Sequence, residues 1–331
     1  MGWVNDFKQA VLKVDFEPTE ELILSLFRRQ AEENPVYKNY LKLLSIAPAE
    51  VRSRSEIPHL PIRFFKSQPV YLKSLAGQQQ RIFKSSGTTG QQASCHYLFD
   101  EEFYRQNAQM LFEAHFGATE EFCHLALLPG YLERGNSSLV FMVQHFVKQS
   151  QDPDSGFFLD KLERLSQHLR EKQRQGVPTV LWGVSFALLD LAEQHPQDLP
   201  AIRIIETGGM KGRRRELIRA ELHHRLKQAF SVDHISSEYG MTELLSQAYA
   251  PADGLFKPPK QLLVGTRSIT DPRAETPPGK TGALKLIDLA NVESCAFIQT
   301  DDLGRIGNDG SFEVLGRNDH SEQRGCNLMV F

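Results

Sequence analysis

"PTVLWG" (178–183), "FALLDLAEQ" (186–194) and "AIRIIETGG" (201–209) follow one another along the chain, and their order decides the fold. The first and third are short apolar runs, rich in β-branched residues and bounded by proline or glycine, which reads as buried strand. The middle stretch reads as a helix. A strand, a helix and a second strand in close succession form the unit of a parallel sheet with helices on its faces. Upstream, a helix is expected at about 101–116, a buried strand in "CHLALLPG" (123–130) and a helix at about 160–174. Downstream, a helix is expected at about 211–229 and a strand in "SVDHIS" (231–236). The fold class is therefore α/β, a layered domain with a largely parallel sheet.

The two ends of the chain read differently. Residues 1–60 are polar and helical, with "PTEELILSLFRRQAEE" (18–33) the clearest helix. Thr19 is placed to cap it, and Leu22, Leu26 and Phe27 form its apolar stripe. Prolines 58, 61 and 69 then break the chain into extended pieces. From about 245 short strands dominate: "QAYA", "QLLVG", "GALKLIDL", "CAFIQT" and "FEVLG". The expected organisation is a helical segment (1–60), an α/β core (61–250) and a β-rich subdomain with a tail (251–331).

Composition narrows the classes. The 331 residues are 40% hydrophobic and 24% charged, as in ordinary globular proteins. A net charge of −3 gives no electrostatic footprint for nucleic acid. "KGRRR" (211–215) reads as the solvated face of a helix whose apolar side is Leu217, Ile218 and Leu222. Cys95, Cys123, Cys295 and Cys326 include no C-x-x-C pair and complete no zinc pattern. With no signal-peptide pattern at the start and no apolar run of ~20 residues, a reduced, cytoplasmic protein is expected.

Five loops carry candidate chemistry. In "KSSGTTGQQ" (84–92), Ser85, Ser86, Thr88 and Thr89 alternate with Gly87 and Gly90. Such a loop is either a surface turn or an anion-binding concavity of backbone N–H groups and hydroxyls. "LLPGYLERGNSS" (127–138), "ETGGMKG" (206–212) and "SSEYGMTE" (236–243) each follow an expected strand, where ligands gather in α/β sheets. In "YGMTE", Tyr239 offers a face for a base, Gly240 a close approach, Thr242 a hydroxyl and Glu243 a hard oxygen for Mg²⁺. The plain alternative is a helix N-terminus with Thr242 as cap. "TDDLGRIGNDG" (300–310) is either a hairpin loop or a carrier of ribose-binding carboxylates, Asp301 and Asp302. "PPGKTG" (277–282) contains the G-K-T of a nucleotide-binding P-loop, but Ala274 stands where that motif needs glycine, so a turn is expected.

Taken together, "SSGTTG", "YGMTE", the T-x-D-L-G-R of 300–305 and the G-R-x-D of 316–319 resemble, in order, the motifs of adenylate-forming enzymes. "IPHLPIRFFKS", "LLPGYLERGNSSLVFM", "TGGMKG" and "RGCNLMVF" resemble LuxE-type acyl-protein synthetases more narrowly. The resemblance covers about 55–331. It implies ATP-dependent activation of a carboxylic acid, a fatty acid by subfamily, to an acyl-adenylate, with Mg²⁺ as cofactor. Ser85, Ser86, Gly87, Thr88, Thr89 and Gly90 would hold the triphosphate. Gly208 and Gly209 would lie along the adenine with Tyr239 beside it, in a "YGMTE" loop of Tyr239, Gly240, Met241, Thr242 and Glu243. Thr242 would meet the α-phosphate, Glu243 the metal, and Asp302 (rather than Asp301) with Arg317 the ribose.

The acceptor implied is the chain's own Cys326, and the company implied is a partner reductase or acyl-donor protein. The alternatives are transfer to CoA by a small acyl-CoA ligase, or a nucleotide- or acyl-binding homologue of weak activity. The sequence departs from the superfamily in "QQASCHY" (91–97), which lacks its common lysine, in T-D-D for T-G-D, and in the early Gly325. The mobile C-terminal domain with the adenylation lysine is expected to be absent, leaving Lys84, Lys211 and Arg324 as candidates for its role. Phe141, Trp182 and Phe186 are either a seat for a fatty chain or ordinary core.

Overall fold

The computed structural model describes residues 2–85, 92–129, 135–159, 161–208, 217–271 and 274–317. Helices α1 (Gly2–Val11), α2 (Glu20–Glu33) and α3 (Pro35–Leu43) open the chain. Thr19 Oγ1 caps α2 by accepting from Leu22 N, and Asn34 Oδ1 caps α3 by accepting from Val36 N and Tyr37 N. The apolar face of α2 is wider than expected, since Ile23 and Leu24 are buried with Leu26 and Phe27 while Leu22 is half-buried. Strand β1 (Leu60–Pro61) and helix α4 (Phe64–Ser67) lead to the hairpin β2 (Arg81–Lys84) and β3 (Cys95–Leu98), whose connection carries the glycine-rich loop.

Beyond it, α5 (Glu101–Phe116) begins at Asp100, which caps Phe103 N. Alternation then follows: β4 (Cys123–Leu127), α6 (Ser138–Gln149), β5 (Gly156–Phe157), α7 (Leu162–Gln175), β6 (Thr179–Val184), α8 (Ser185–Gln194), β7 (Ile202–Thr207), α9 (Arg219–Phe230), β8 (Ser236–Tyr239) and β9 (Ala248–Ala250). These strands form one sheet in the order β5-β4-β6-β7-β8-β9, parallel except for the final antiparallel pair. Every residue of β4 and β6 is buried, because helices cover both faces of a parallel sheet.

One strand lies elsewhere than expected. The run 231–236 is not a strand: Ser231 closes α9 in a left-handed conformation (φ 53°), and pairing with β7 starts only at Ser236. Tyr239 is thus the last residue of a strand, which fixes its backbone.

Strands β10 (Leu255–Phe256), β11 (Leu262–Arg267), β12 (Gly282–Asp288), β13 (Phe297–Ile306) and β14 (Phe312–Arg317) form a second, antiparallel sheet in the order β10-β14-β13-β12-β11, with β1 parallel to β13. The turn before β12 contains Gly279 (φ 77°) and leads into a strand, not the helix that a P-loop requires. Within "TDDLGRIGNDG", residues 300–306 belong to β13 and the hairpin turn to β14 is confined to the stretch after Ile306, where Gly307 N donates to Ser311 O (2.7 Å).

Polar side chains tie the first helices to the second sheet. Buried Gln30 donates to Asn291 O (2.9 Å) and Val292 O (3.0 Å) and accepts from Ala296 N (2.9 Å). Asn34 donates to Ser294 O (3.0 Å). Buried Lys8 joins Asp100 (2.9 Å) to Glu293 (2.7 Å). Gln30→Leu keeps the volume but strands buried backbone groups. It should lower stability by about 2–4 kcal/mol in urea unfolding; a loss below about 0.5 kcal/mol would mean that α2 is not held this way.

Candidate functional site

The carboxyl ends of β7 and β8 lie side by side, with Thr207 paired to Glu238. Gly208, just past β7, has φ 72°, a turn that a side chain would strain. Ser185, which opens α8, donates to Glu206 Oε1 (2.6 Å) and lies 3.2 Å from Gly208 O, fixing this turn from below.

The second sheet supplies the opposite wall. Tyr239 Oη donates to Asp302 Oδ2 (2.9 Å), and Arg317 Nε donates to Asp302 Oδ1 (3.3 Å). The fifteen-residue separation of Asp302 and Arg317 is bridged by antiparallel pairing, since the two are direct cross-strand partners on β13 and β14. Asp301 points the other way, to Arg63 (3.1 Å). The Tyr239 ring is buried edge-on against Phe256 and Phe312. Burial, reinforced by the Asp302 charge, pushes its phenol well above the usual range, so it acts as a neutral donor.

Thr242 and Glu243 sit on a buried platform. No helix follows them, so Thr242 is not a helix cap. His96 Nδ1, from β3, donates to Thr242 O (2.8 Å), and its Nε2 lies 3.1 Å from Asn291 Oδ1. Asn291 Nδ2 donates to Glu243 O (2.8 Å). Asp288 accepts from Leu245 N (2.7 Å), Ser246 N (3.1 Å) and Ser246 Oγ (2.6 Å). Burial lowers His96 to about 4, so the ring is neutral near pH 7.

The base of the glycine-rich loop reaches the same platform. Ser85 Oγ accepts from Ser94 N (2.9 Å), Ser85 N donates to Ser94 O (3.0 Å), and the Ser94 hydroxyl lies near enough to the Glu243 carboxyl to favour its ionised form. Burial raises the Glu243 carboxyl, while Ser94 and the Arg317 charge oppose that rise. No group of three metal-ligating side chains occurs among the described residues. A lone buried carboxylate fits a Mg²⁺ ion that arrives with phosphate oxygens.

Structure thus brings together Ser85, Gly208, Tyr239, Gly240, Met241, Thr242, Glu243, Asp302 and Arg317. Ser86, Gly87, Thr88, Thr89, Gly90, Gly209, Lys211, Arg324 and Cys326 lie outside the described residues. Trp182 is core, its indole N–H donating to His124 Nδ1 (3.1 Å). Phe186 is buried in the core, and Phe141 is covered by the guanidiniums of Arg81 (4.7 Å) and Arg105 (4.6 Å). Sequence reasoning missed His96, Asn291 and Asp288, as well as the buried carboxyls of Glu206 and Glu238. Only the last two left a signal, as charged residues inside otherwise buried strand runs.

No protein-family profile and no curated protein sequence matches the chain. Solved structures do. An open conformation of 2-hydroxyisobutyryl-CoA ligase, in complex with 2-HIB-AMP and CoA, superposes with TM-score 0.62 at 13% identity, over 91% of this chain and 75% of that one. MatB from Rhodopseudomonas palustris with ATP bound superposes with TM-score 0.54 at 19% identity, over 71% of this chain and 47% of that one. The chain shares their fold. It matches about half the length of MatB. No helix among the described residues is long and apolar enough to cross a membrane.

Glu206 and Glu238 are oppositely tuned. Burial raises the Glu206 carboxyl, but His223, Arg219 and Ser185 outweigh it and hold the group below its ordinary value. Burial pushes Glu238 up to about 7, the Thr207 hydrogen bond opposes this, and the Glu206 charge adds to it. A raised carboxyl contributes stability that is complete below its unfolded value of 4.5 and is lost as pH rises through about 7. The stability of the wild type relative to Glu238→Gln should therefore fall between pH 5 and 8, by on the order of 3 kcal/mol. A pH-independent difference between the two unfolding curves would contradict this assignment.

Proposed function

We propose that the chain activates a carboxylic acid with ATP and passes the acyl group to its own Cys326. The observation that carries this reading is the convergence of Glu243, Tyr239, Asp302 and Arg317, held by His96, Asn291 and Ser94 at the carboxyl ends of parallel strands. Likeness to folds solved with ATP and with an acyl-AMP supports it.

Asp302 would take the ribose hydroxyls, releasing its bonds to Tyr239 and Arg317 in part, and Arg317 would reach the sugar or a phosphate. Ser85 to Gly90 would hold the triphosphate, with Gly208 and Gly209 along the adenine. The substrate carboxylate oxygen attacks the α-phosphorus, a new P–O bond forms, and pyrophosphate leaves with the electrons of the broken bond. Thr242 would donate to the α-phosphate oxygen as charge builds there. Glu243 would hold Mg²⁺, which supplies charge neutralisation at the phosphates. The Cys326 thiolate, its proton given to solvent, then attacks the acyl carbonyl, and AMP departs to leave a thioester.

CoA as acceptor is the second reading, favoured by the presence of CoA in the 2-hydroxyisobutyryl-CoA ligase complex of the same fold. The two separate cleanly. Cys326→Ser should abolish ATP-dependent, hydroxylamine-labile labelling of the protein by radioactive acid yet keep ATP–pyrophosphate exchange, because adenylation needs no thiol. Unchanged labelling of the variant, or label that forms only with added CoA, would replace self-acylation by the ligase reading.

A further inference from the structure

Beside Gly240 the wall of the site is rich in buried acceptors. Glu238 spans two loops. Its Oε2 accepts from Thr207 Oγ1 at the end of β7 (2.5 Å). Its Oε1 is aimed at Gly240, where an added Cβ would fall 2.2 Å from that oxygen and 3.4 Å from Gln247 Cγ. Gly240 is therefore constrained by the neighbouring carboxyl. Among the described residues, the buried Gln247 Oε1 and Tyr249 Oη have no hydrogen-bond partner, and Tyr249 and Tyr104 both feel the charge of Glu238. Buried polar atoms are nearly always paired. Both side chains are more than nine-tenths buried, Gln247 at 4% and Tyr249 at 0% exposed.

An aliphatic chain laid against this wall would leave these groups unpaired and desolvated, which is costly. A chain that carries a donor would satisfy them. The aromatic residues that would suit a plain fatty chain are engaged elsewhere, Trp182 with His124 and Phe141 with two guanidiniums. We infer that the acid activated here bears a hydrogen-bond donor, a hydroxyl or an ammonium group, and that Glu238 is the specificity-determining residue that receives it. This rests on the reading of the YGMTE loop as the place of activation.

The test is a panel of six-carbon acids: hexanoate, and hydroxyhexanoates and aminohexanoates carrying the group at each position. Pyrophosphate exchange is measured alongside calorimetric titration of each acid in the presence of a non-hydrolysable ATP analogue. The wild type should favour at least one donor-bearing acid over hexanoate by about tenfold or more, since a site built around a buried acceptor rejects the analogue lacking the donor. Glu238→Gln keeps the shape and should reduce that preference about tenfold for an ammonium and less for a hydroxyl, which identifies the donor. Thr207→Val, which removes only the bond that aims the carboxyl, should reduce it less. A preference for hexanoate, or a Glu238→Gln variant that slows all acids equally, would overturn the inference, as would ATP-analogue binding without discrimination among acids. That last result leaves the nucleotide reading intact. Discrimination among acids with no response to ATP would do the reverse, keeping the pocket and removing the nucleotide.

Discussion

The described site depends on one buried imidazole. His96 stands on the hairpin that carries the glycine-rich loop, yet its hydrogen bond goes to the carbonyl of Thr242, more than a hundred residues away. Its other nitrogen faces Asn291, which in turn holds the carbonyl of Glu243. Three segments with no local reason to meet are thereby fixed at one point. Because the ring is buried and neutral near pH 7, the junction has no titration of its own to loosen it there. Gln30 and Asn34 extend the same constraint, binding the backbone of 291–296 to the first helices. The helical start of the chain therefore helps to shape the floor on which Glu243 rests.

Much of the architecture was legible because it rests on local rules. Apolar runs such as 123–127 and 179–184 are strands buried on both faces, and α5 is bounded as its Asp100 cap and Gly117 stop dictate. What misled was the stretch 231–236. Its β-branched content suggested a strand, but the chain spends it on leaving α9, and register with β7 is set by tertiary pairing instead. Sequence also favoured Asp302 over Asp301, and the strand's alternation gives that choice a physical form, with one carboxyl facing Tyr239 and Arg317 and the other facing Arg63. His96 and Asn291 were illegible because nothing in their neighbours' sequence marks a contact made across such distances.

Buried carboxyls on adjacent strands are expensive to fold, and here they receive different treatment. Glu206 is kept ionised by His223, Arg219 and Ser185, whereas burial and the neighbouring Glu206 charge push Glu238 towards its neutral form against the hydrogen bond from Thr207. Residues that lower stability at the carboxyl ends of a parallel sheet are best explained by what they contact there. Tyr239 illustrates the same logic: a phenol locked between two aromatic rings, whose only polar atom is directed at a carboxylate on the other sheet. The two sheets meet through that bond, and a nucleotide seated between them would have to share it.

The proposed sharing can be measured directly. Titration of Mg·ATP into the wild type, Asp302→Ala and Asp301→Ala, followed by calorimetry, compares two neighbouring carboxylates of which only one faces the site. Loss of a charge-assisted hydrogen bond costs about 1.5–3 kcal/mol, so Asp302→Ala should weaken binding more than about tenfold while Asp301→Ala stays close to the wild type. Absence of ATP binding to the wild type, or the opposite ranking of the two variants, would contradict the nucleotide site proposed at this junction.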